Sequence, residues 1–299
     1  MILRRERLET PDGDFLDLDF TPDPHPDRPL VLILHGLEGS TRRRYVRLML
    51  AEIEAAGMAG VALNFRGCSG EPNRAPRAYH SGETGDTTFV LEALRRRYAR
   101  RPLGAVGYSL GGNVVLKLLG EGNVGERVGL EAAVAISVPY DLDEGARIME
   151  STGWGRTYSF FFLRSLRRKV RDKADVVRGL VDVERALGSL SIRAFDDAFT
   201  APLHGFDSAS QYYEACSARC FLATIGVPAL LLHALDDPFL PSSSVPVEAI
   251  RANPRLTLGI HATGGHVGFI AGSPWSPAFW AEAEAARYLR WHMAPTPAT

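Results

Sequence analysis

Ser109 sits in Gly107-Tyr108-Ser109-Leu110-Gly111, where a short apolar run ends and a helix-period segment begins. A serine hydroxyl is a weak nucleophile unless a neighbouring base takes its proton and a third group orients that base. Both kinds of group follow in the chain. Asp236-Asp237-Pro238 comes just after the apolar run Pro228 to Ala234, and Gly264-Gly265-His266 just after Leu256 to His261. The pentapeptide alone is a weak pattern in a chain with 29 glycines, because small residues around a serine recur by chance. Its context carries more. A G-x-S-x-G that closes a strand and opens a helix holds its serine on a sharp, strained turn, and the flanking small residues let the backbone close. Serine, acid and histidine, in that order and leaving one carboxyl edge of a sheet, are what nucleophilic acyl chemistry needs.

The expected roles follow. Ser109 is the nucleophile, His266 the general base, and Asp237 the acid that fixes the imidazole tautomer. Pro238 restricts Asp237 to extended geometry. Asp236 is then left to brace the loop, and the reverse assignment of the two aspartates stays open. Charge developing on a carbonyl oxygen needs donors already in place. The amide of Leu110, next to the serine, is one. The amide of Leu37, in His35-Gly36-Leu37-Glu38-Gly39-Ser40, is the expected other. His35 and His204 fit no base position and read as structural.

These groups need a scaffold that delivers them to one edge. Ile2 to Thr10 and Phe15 to Phe20 alternate around Pro11-Asp12-Gly13-Asp14, as in an antiparallel hairpin. A Pro/Asp-rich linker covers Thr21 to Pro29. Strand-sized apolar runs then alternate with helix-period segments: Leu30 to Leu34 with Tyr45 to Ala56, Gly60 to Phe65 with Thr84 to Arg100, Leu103 to Val106 with Leu110 to Leu119, and then Leu130 to Val138. Buried strands alternating with helices make a mostly parallel central sheet with helices on both faces. From Tyr140 to about Phe221 the strand runs stop, and residues 140–221 read as an inserted helical cap. The alternation resumes with Pro228 to Ala234, Val245 to Ala252, Leu256 to His261 and a last helix from Ala278 to Met293. Ala294 to Thr299 read as a frayed end. The expectation is a single α/β domain over residues 1–299, with the cap inside it.

Composition narrows the classes of function. Of 299 residues, 45% are hydrophobic and 23% charged, and the formal net charge is -1, which argues against a dedicated nucleic-acid binder. Three cysteines cannot make a disulfide framework, so a reducing, cytoplasmic setting is expected. The first residues carry Arg4, Arg5, Glu6 and Arg7 with no apolar stretch behind them, so no signal peptide is expected. No run is long enough to span a bilayer. Gly120-Glu121-Gly122-Asn123-Val124-Gly125 matches G-x-G-x-x-G but follows a helix rather than a strand, so the dinucleotide reading fails. No His/Asp/Glu group has metal spacing in the sequence, and neither metal nor cofactor is expected.

Several longer strings extend beyond the triad. They are His35 to Ser40, Asn64-Phe65-Arg66-Gly67-Cys68-Ser69-Gly70-Glu71-Pro72-Asn73-Arg74, Tyr79-His80-Ser81-Gly82-Glu83-Thr84 and Gly107 to Asn113. After them come Phe195-Asp196-Asp197, Thr200-Ala201-Pro202-Leu203-His204-Gly205-Phe206, Asp236 to Phe239 and Gly264 to Phe269. Together they resemble the YheT-type α/β-hydrolases, bacterial relatives of the eukaryotic ABHD-type lipid hydrolases. The likeness covers nearly the whole chain and departs nowhere at the serine, aspartate and histidine positions. It implies an α/β-hydrolase fold and a serine carboxylic-ester hydrolase for short- to medium-chain acyl esters. Acyl transfer or thioester cleavage by the same serine is the alternative within enzymes, and a non-catalytic binding protein on the same fold is the alternative outside them. The cap string Ser159-Phe160-Phe161-Phe162-Leu163 precedes Arg164, Arg167, Arg168, Lys169, Arg171 and Lys173. Aromatics packed inward with solvated charges is the plain expectation for it. A transient contact with an anionic membrane surface is the sharper one.

Overall fold

The apolar runs become strands because each offers side chains to both faces of a sheet that is covered on both sides. In the computed structural model, which describes residues 1–22, 25, 27–273 and 275–294, they form one eight-stranded sheet. Its strands are β1 (Arg4–Glu9), β2 (Phe15–Phe20), β3 (Leu30–Leu34), β4 (Ala59–Asn64), β5 (Leu103–Tyr108), β6 (Leu130–Ile136), β7 (Ala229–Ala234) and β8 (Leu256–His261). The spatial order is β1-β2-β4-β3-β5-β6-β7-β8. The β1–β2 hairpin joins β4 antiparallel, and every pairing from β4 to β8 is parallel. Residues 23, 24 and 26 of the linker, and 295–299 of the end read as frayed, lie outside the described residues.

Alternation along β3 shows how the two faces are filled. Val31 and Ile33 share an apolar layer with Val46, Met49, Leu50 and Ile53 of α1 (Arg44–Ala55). Leu30, Leu32 and Leu34 belong to the opposite layer, with residues of α2 (Gly85–Arg97) and α3 (Leu110–Gly120). After α3 comes a short helix, α4 (Val124–Arg127), which starts at the end of the string that matched the dinucleotide pattern.

Between β6 and β7 the chain is helical. It forms α5 (Leu142–Ser151), α6 (Gly153–Asp172), α7 (Ala174–Val177), α8 (Val183–Gly188), α9 (Ile192–Phe195), α10 (Ala201–Leu203) and α11 (Ala209–Cys216), with a π-helical turn at Asp196–Thr200. Side-chain caps start several of them: Asp141 accepts from the amides of Asp143 and Glu144, Thr152 from Gly155, and Ser208 from Gln211. The segment has apolar centres of its own, one around Leu163, Val170 and Phe195 and another around Leu142, Tyr212 and Tyr213.

Two expectations need correction. The aromatics of α6 do not all pack inward: Phe160 is 62% and Phe161 59% exposed. A helix with 3.6 residues per turn cannot aim three consecutive side chains one way, and Ser159, Leu163 and Val170 take the inner stripe. The last helix is also shorter than its apolar pattern suggested. After α12 (Val247–Ala252) and β8, a small antiparallel hairpin of β9 (Ile270–Ser273) and β10 (Ser276–Phe279) precedes α13 (Trp280–His292). Every residue of β9 is exposed, so no alternation in burial marked it.

Candidate active site

Ser109 follows β5 and precedes α3 with φ 51° and ψ -117°, a backbone conformation that costs a non-glycine residue on the order of 1–3 kcal/mol. The surroundings over-determine it. The Ser109 amide donates to Ile136 O at 2.8 Å, and the Asn113 amide donates to Ser109 O at 3.0 Å. The turn is also too tight for side chains beside it: a Cβ on Gly107 would stand 2.3 Å from Gly111 O, and one on Gly111 would stand 2.6 Å from Leu34 O.

The loops after β7 and β8 bring the other two groups to this turn. His266 Nε2 lies 2.9 Å from Ser109 Oγ, and His266 Nδ1 lies 2.8 Å from Asp237 Oδ2. A carboxylate at Nδ1 keeps the proton there and leaves Nε2 free to accept from the serine hydroxyl. The Asp237 side chain is fully buried. Its Oδ1 accepts from the amides of Phe239 at 2.9 Å and Leu240 at 3.1 Å, which fix the carboxylate plane. Asp236 does something else. Its Oδ1 accepts from the amides of Gly264 and Gly265, each at 2.8 Å, and so ties down the histidine loop. Phe239 packs edge-on against His266 with ring centres 4.9 Å apart.

Leu37 lies in the loop after β3, which approaches the serine so closely that a Cβ on Gly36 would be 3.2 Å from Ser109 Cβ. Leu37 and Leu110 line the same cavity as Ser109 and His266. Among the described residues neither backbone amide donates to a protein acceptor. His35 stands apart from the triad. Its Nδ1 donates to Gly36 O at 2.8 Å and its Nε2 accepts from the Phe65 amide at 3.2 Å, while burial pushes its pKa down to about 4. It is a neutral brace for the loop.

The cavity measures about 960 Å³ and is mostly apolar, with Met149, Phe161, Phe162, Leu166 and Ile192 among its lining residues. Sequence reasoning attached no role to the strings from Asn64 to Arg74 and Tyr79 to Thr84. Arg66 is buried between Asp14 at 2.8 Å and Asp86 at 2.7 Å, and Asn73 bonds Asp14 and Phe15 O, so the first string anchors the β1–β2 hairpin. The second places Tyr79, His80 and Ser81 on the cavity wall. One group with metal-ligand atoms emerges that sequence spacing did not reveal: His80, Glu83 and His204 bring such atoms within 4.8 Å of one another. Arg77 donates to Glu83 at 2.7 Å and the Asp86 amide takes the other carboxylate oxygen, so a cation there would compete with a guanidinium.

Residues 29–273 match the family model described as the alpha/beta hydrolase fold. The chain is 39% identical over 292 residues to YheT of Escherichia coli (strain K12), covering 96% of this chain and 85% of that protein. The chain belongs to the YheT-type α/β-hydrolases. It is also 31% identical over 276 residues to phospholipase ABHD3 of Mus musculus, covering 90% of this chain and 67% of that protein. The Pyrococcus furiosus esterase Pf2001 superimposes with a TM-score of 0.64 over 98% of this chain and 91% of that one, at 15% identity, which speaks to the fold alone. The protein is thus an ester hydrolase of the esterase and lipase type. Among the described residues no helix is long and apolar enough to cross a membrane.

Proposed function

We propose that the protein hydrolyses short- to medium-chain acyl esters through an acyl-enzyme on Ser109. His266 takes the serine proton as Oγ attacks the ester carbonyl, and then hands it to the departing alcohol. Asp237 holds the imidazole with its proton on Nδ1 and stabilises the imidazolium. The amides of Leu37 and Leu110 receive the oxyanion. Water, activated by the same histidine, then releases the acid. The observation that carries this reading is the continuous relay of 2.8 and 2.9 Å from Asp237 through His266 to Ser109, opening on an apolar cavity of about 960 Å³. Apolar walls favour an acyl chain, since each methylene buried is worth roughly 0.8 kcal/mol.

Residues 140–221 act in this reading as a cap over the site, because α5 and α6 supply Met149, Phe161 and Phe162 to its wall. A transient contact with an anionic lipid surface belongs to the same proposal. Trp154, Phe160 and Phe161 are exposed on α6 with Arg156 and Arg164 between and beside them, and Phe161 reaches the cavity. Co-sedimentation that does not change between anionic and neutral liposomes removes that part. The central test is labelling by a fluorophosphonate probe, expected in the wild type and absent in Ser109→Ala. An ester series from two to ten acyl carbons then reads the cavity, and equal kcat/KM across it contradicts the acyl pocket. Product analysis with added alcohols separates hydrolysis from acyl transfer.

A further inference from the structure

We infer that Glu38, held by Tyr79 and Lys169, positions the Leu37 amide, and that helix α6 controls this donor through Lys169. The inference rests on the proposal above that Leu37 serves the oxyanion.

Gly36 to Gly39 form a hydrogen-bonded turn, with the Gly39 amide donating to Gly36 O at 3.0 Å. Its third residue, Glu38, has φ 51°, whereas Leu37 has ordinary negative φ. That is the pattern of a type II turn, whose third position normally takes glycine. A glutamate there is strained, and the structure shows what holds it. The Glu38 amide donates to Tyr79 Oη at 2.8 Å, and Tyr79 Oη donates back to Glu38 Oε1 at 2.7 Å. Lys169 Nζ donates to the same carboxylate at 2.7 Å, Ser165 donates to its other oxygen, and Arg43 donates to Glu38 O at 2.9 Å. Every polar group of the residue is engaged, and its side chain is 4% exposed. Tyr79 is itself fixed, stacked on Phe65 with ring centres 5.3 Å apart.

A turn of this kind leaves both central amides outside its own hydrogen bond. Tyr79 takes that of Glu38, so only that of Leu37 is left to face the cavity. The direction of that amide depends on the turn, and the turn depends on the clamp. Lys169 and Ser165 stand one helical turn apart on α6, and the same helix gives Phe161, Phe162 and Leu166 to the cavity wall. The helix that touches the acyl chain therefore also holds the oxyanion loop. An anchor serving only to dock α6 would not require left-handed backbone at a glutamate, because a lysine–carboxylate pair forms as well from a relaxed turn.

The test compares Glu38→Gly, Lys169→Met and Lys169→Arg, each with kcat expressed per serine titrated by the fluorophosphonate. Glycine relieves the strain, so Glu38→Gly keeps a foldable turn while removing the clamp. Losing an oxyanion donor costs about 10²–10³ in kcat; a displaced one is expected to cost roughly 10-fold in Lys169→Met and about 100-fold in Glu38→Gly, with KM within about threefold. Affinity for a trifluoromethyl ketone, which forms a tetrahedral adduct, should fall in step, and Lys169→Arg should recover most of the rate. Per-serine kcat within about twofold of wild type in both Glu38→Gly and Lys169→Met, or a loss confined to KM or Tm, overturns the inference. Failure of the wild type to label at Ser109 instead overturns the proposed function itself, before any variant is compared.

Discussion

Replacing Asp237 by asparagine should damage the enzyme more than replacing it by alanine, for a reason visible in the hydrogen bonds. Oδ1 of Asp237 accepts from two backbone amides, those of Phe239 and Leu240. An asparagine must put its carbonyl oxygen at that position, because an NH2 facing two N–H groups would leave both without an acceptor. Each such buried donor costs about 1–3 kcal/mol, so the wrong orientation lies about 4 kcal/mol above the right one. The NH2 then points at His266 Nδ1, where Oδ2 stood at 2.8 Å. It donates to that nitrogen and drives the imidazole proton onto Nε2, the atom that must accept from Ser109. With 1.4 kcal/mol per decade, the competent tautomer is depleted by about 10³, and lost stabilisation of the imidazolium brings the fall in kcat to about 10⁴. Asp237→Ala imposes no tautomer and should lose less than Asp237→Asn. The assay is kcat for a p-nitrophenyl ester near pH 7.5, normalised to fluorophosphonate-reactive serine. Asp237→Asn within tenfold of wild type, or more active than Asp237→Ala, refutes the reasoning.

Other consequences concern stability. Glu282 is fully buried, accepts from Tyr108 Oη at 3.0 Å, and is pushed up by burial to about 7. A carboxyl whose folded pKa lies above the ordinary value of 4.5 contributes stability that is whole below that value and lost as pH rises through the folded one. Glu282→Gln cannot ionise, so its stability relative to wild type should improve by about 3 kcal/mol between pH 4.5 and pH 9; equal shifts of the urea midpoints at the two pH values count against it. Gly107→Ala forces a Cβ to 2.3 Å from Gly111 O and should cost at least about 3 kcal/mol together with activity. Gly188→Ala, with no atom within 4 Å of its new Cβ, should change stability by less than about 0.5 kcal/mol. Thermal melts of the pair check the contrast.

What could be read from the sequence was local. The strand runs, their alternation with helices and the residues at strand ends follow from periodicity, and the structure brings Ser109, Asp237 and His266 within hydrogen-bond distance at the edge those patterns specified. Pro238 was the one local hint favouring Asp237 over Asp236, and it is Asp237 that faces the imidazole. The illegible parts depend on where elements come to rest. The exposure of Phe160 and Phe161 depends on which stripe of α6 turns inward, and β9 and β10 pair without any apolar signal. His80 and Glu83 meet His204 only because the chain after β6 folds back over the loop before α2. Glu38, Tyr79 and Lys169 come from three separate segments, and each would pass in sequence as a solvated charge or a core aromatic.

Backbone strain explains why the loops around the serine resist reading. Glycine announces left-handed backbone in a sequence; other residues do not. Five described non-glycine residues adopt positive φ, and three of them, Glu38, Ser109 and Ser137, lie just past the carboxyl ends of β3, β5 and β6. These three strands are neighbours in the sheet. Each of the three residues is held by bonds from elsewhere: Glu38 by Tyr79, Ser109 by Ile136, and Ser137 by its amide donating to Leu232 O at 2.8 Å. Strain of about 1–3 kcal/mol per site persists only where surrounding structure insists on it. Here the insistence is concentrated on the rim that presents the serine hydroxyl and the Leu37 amide. Relaxing any one of these turns would relieve local strain yet spoil the alignment on which the proposed chemistry depends, and at Glu38 it would also strip Lys169, Ser165 and Tyr79 of their acceptor.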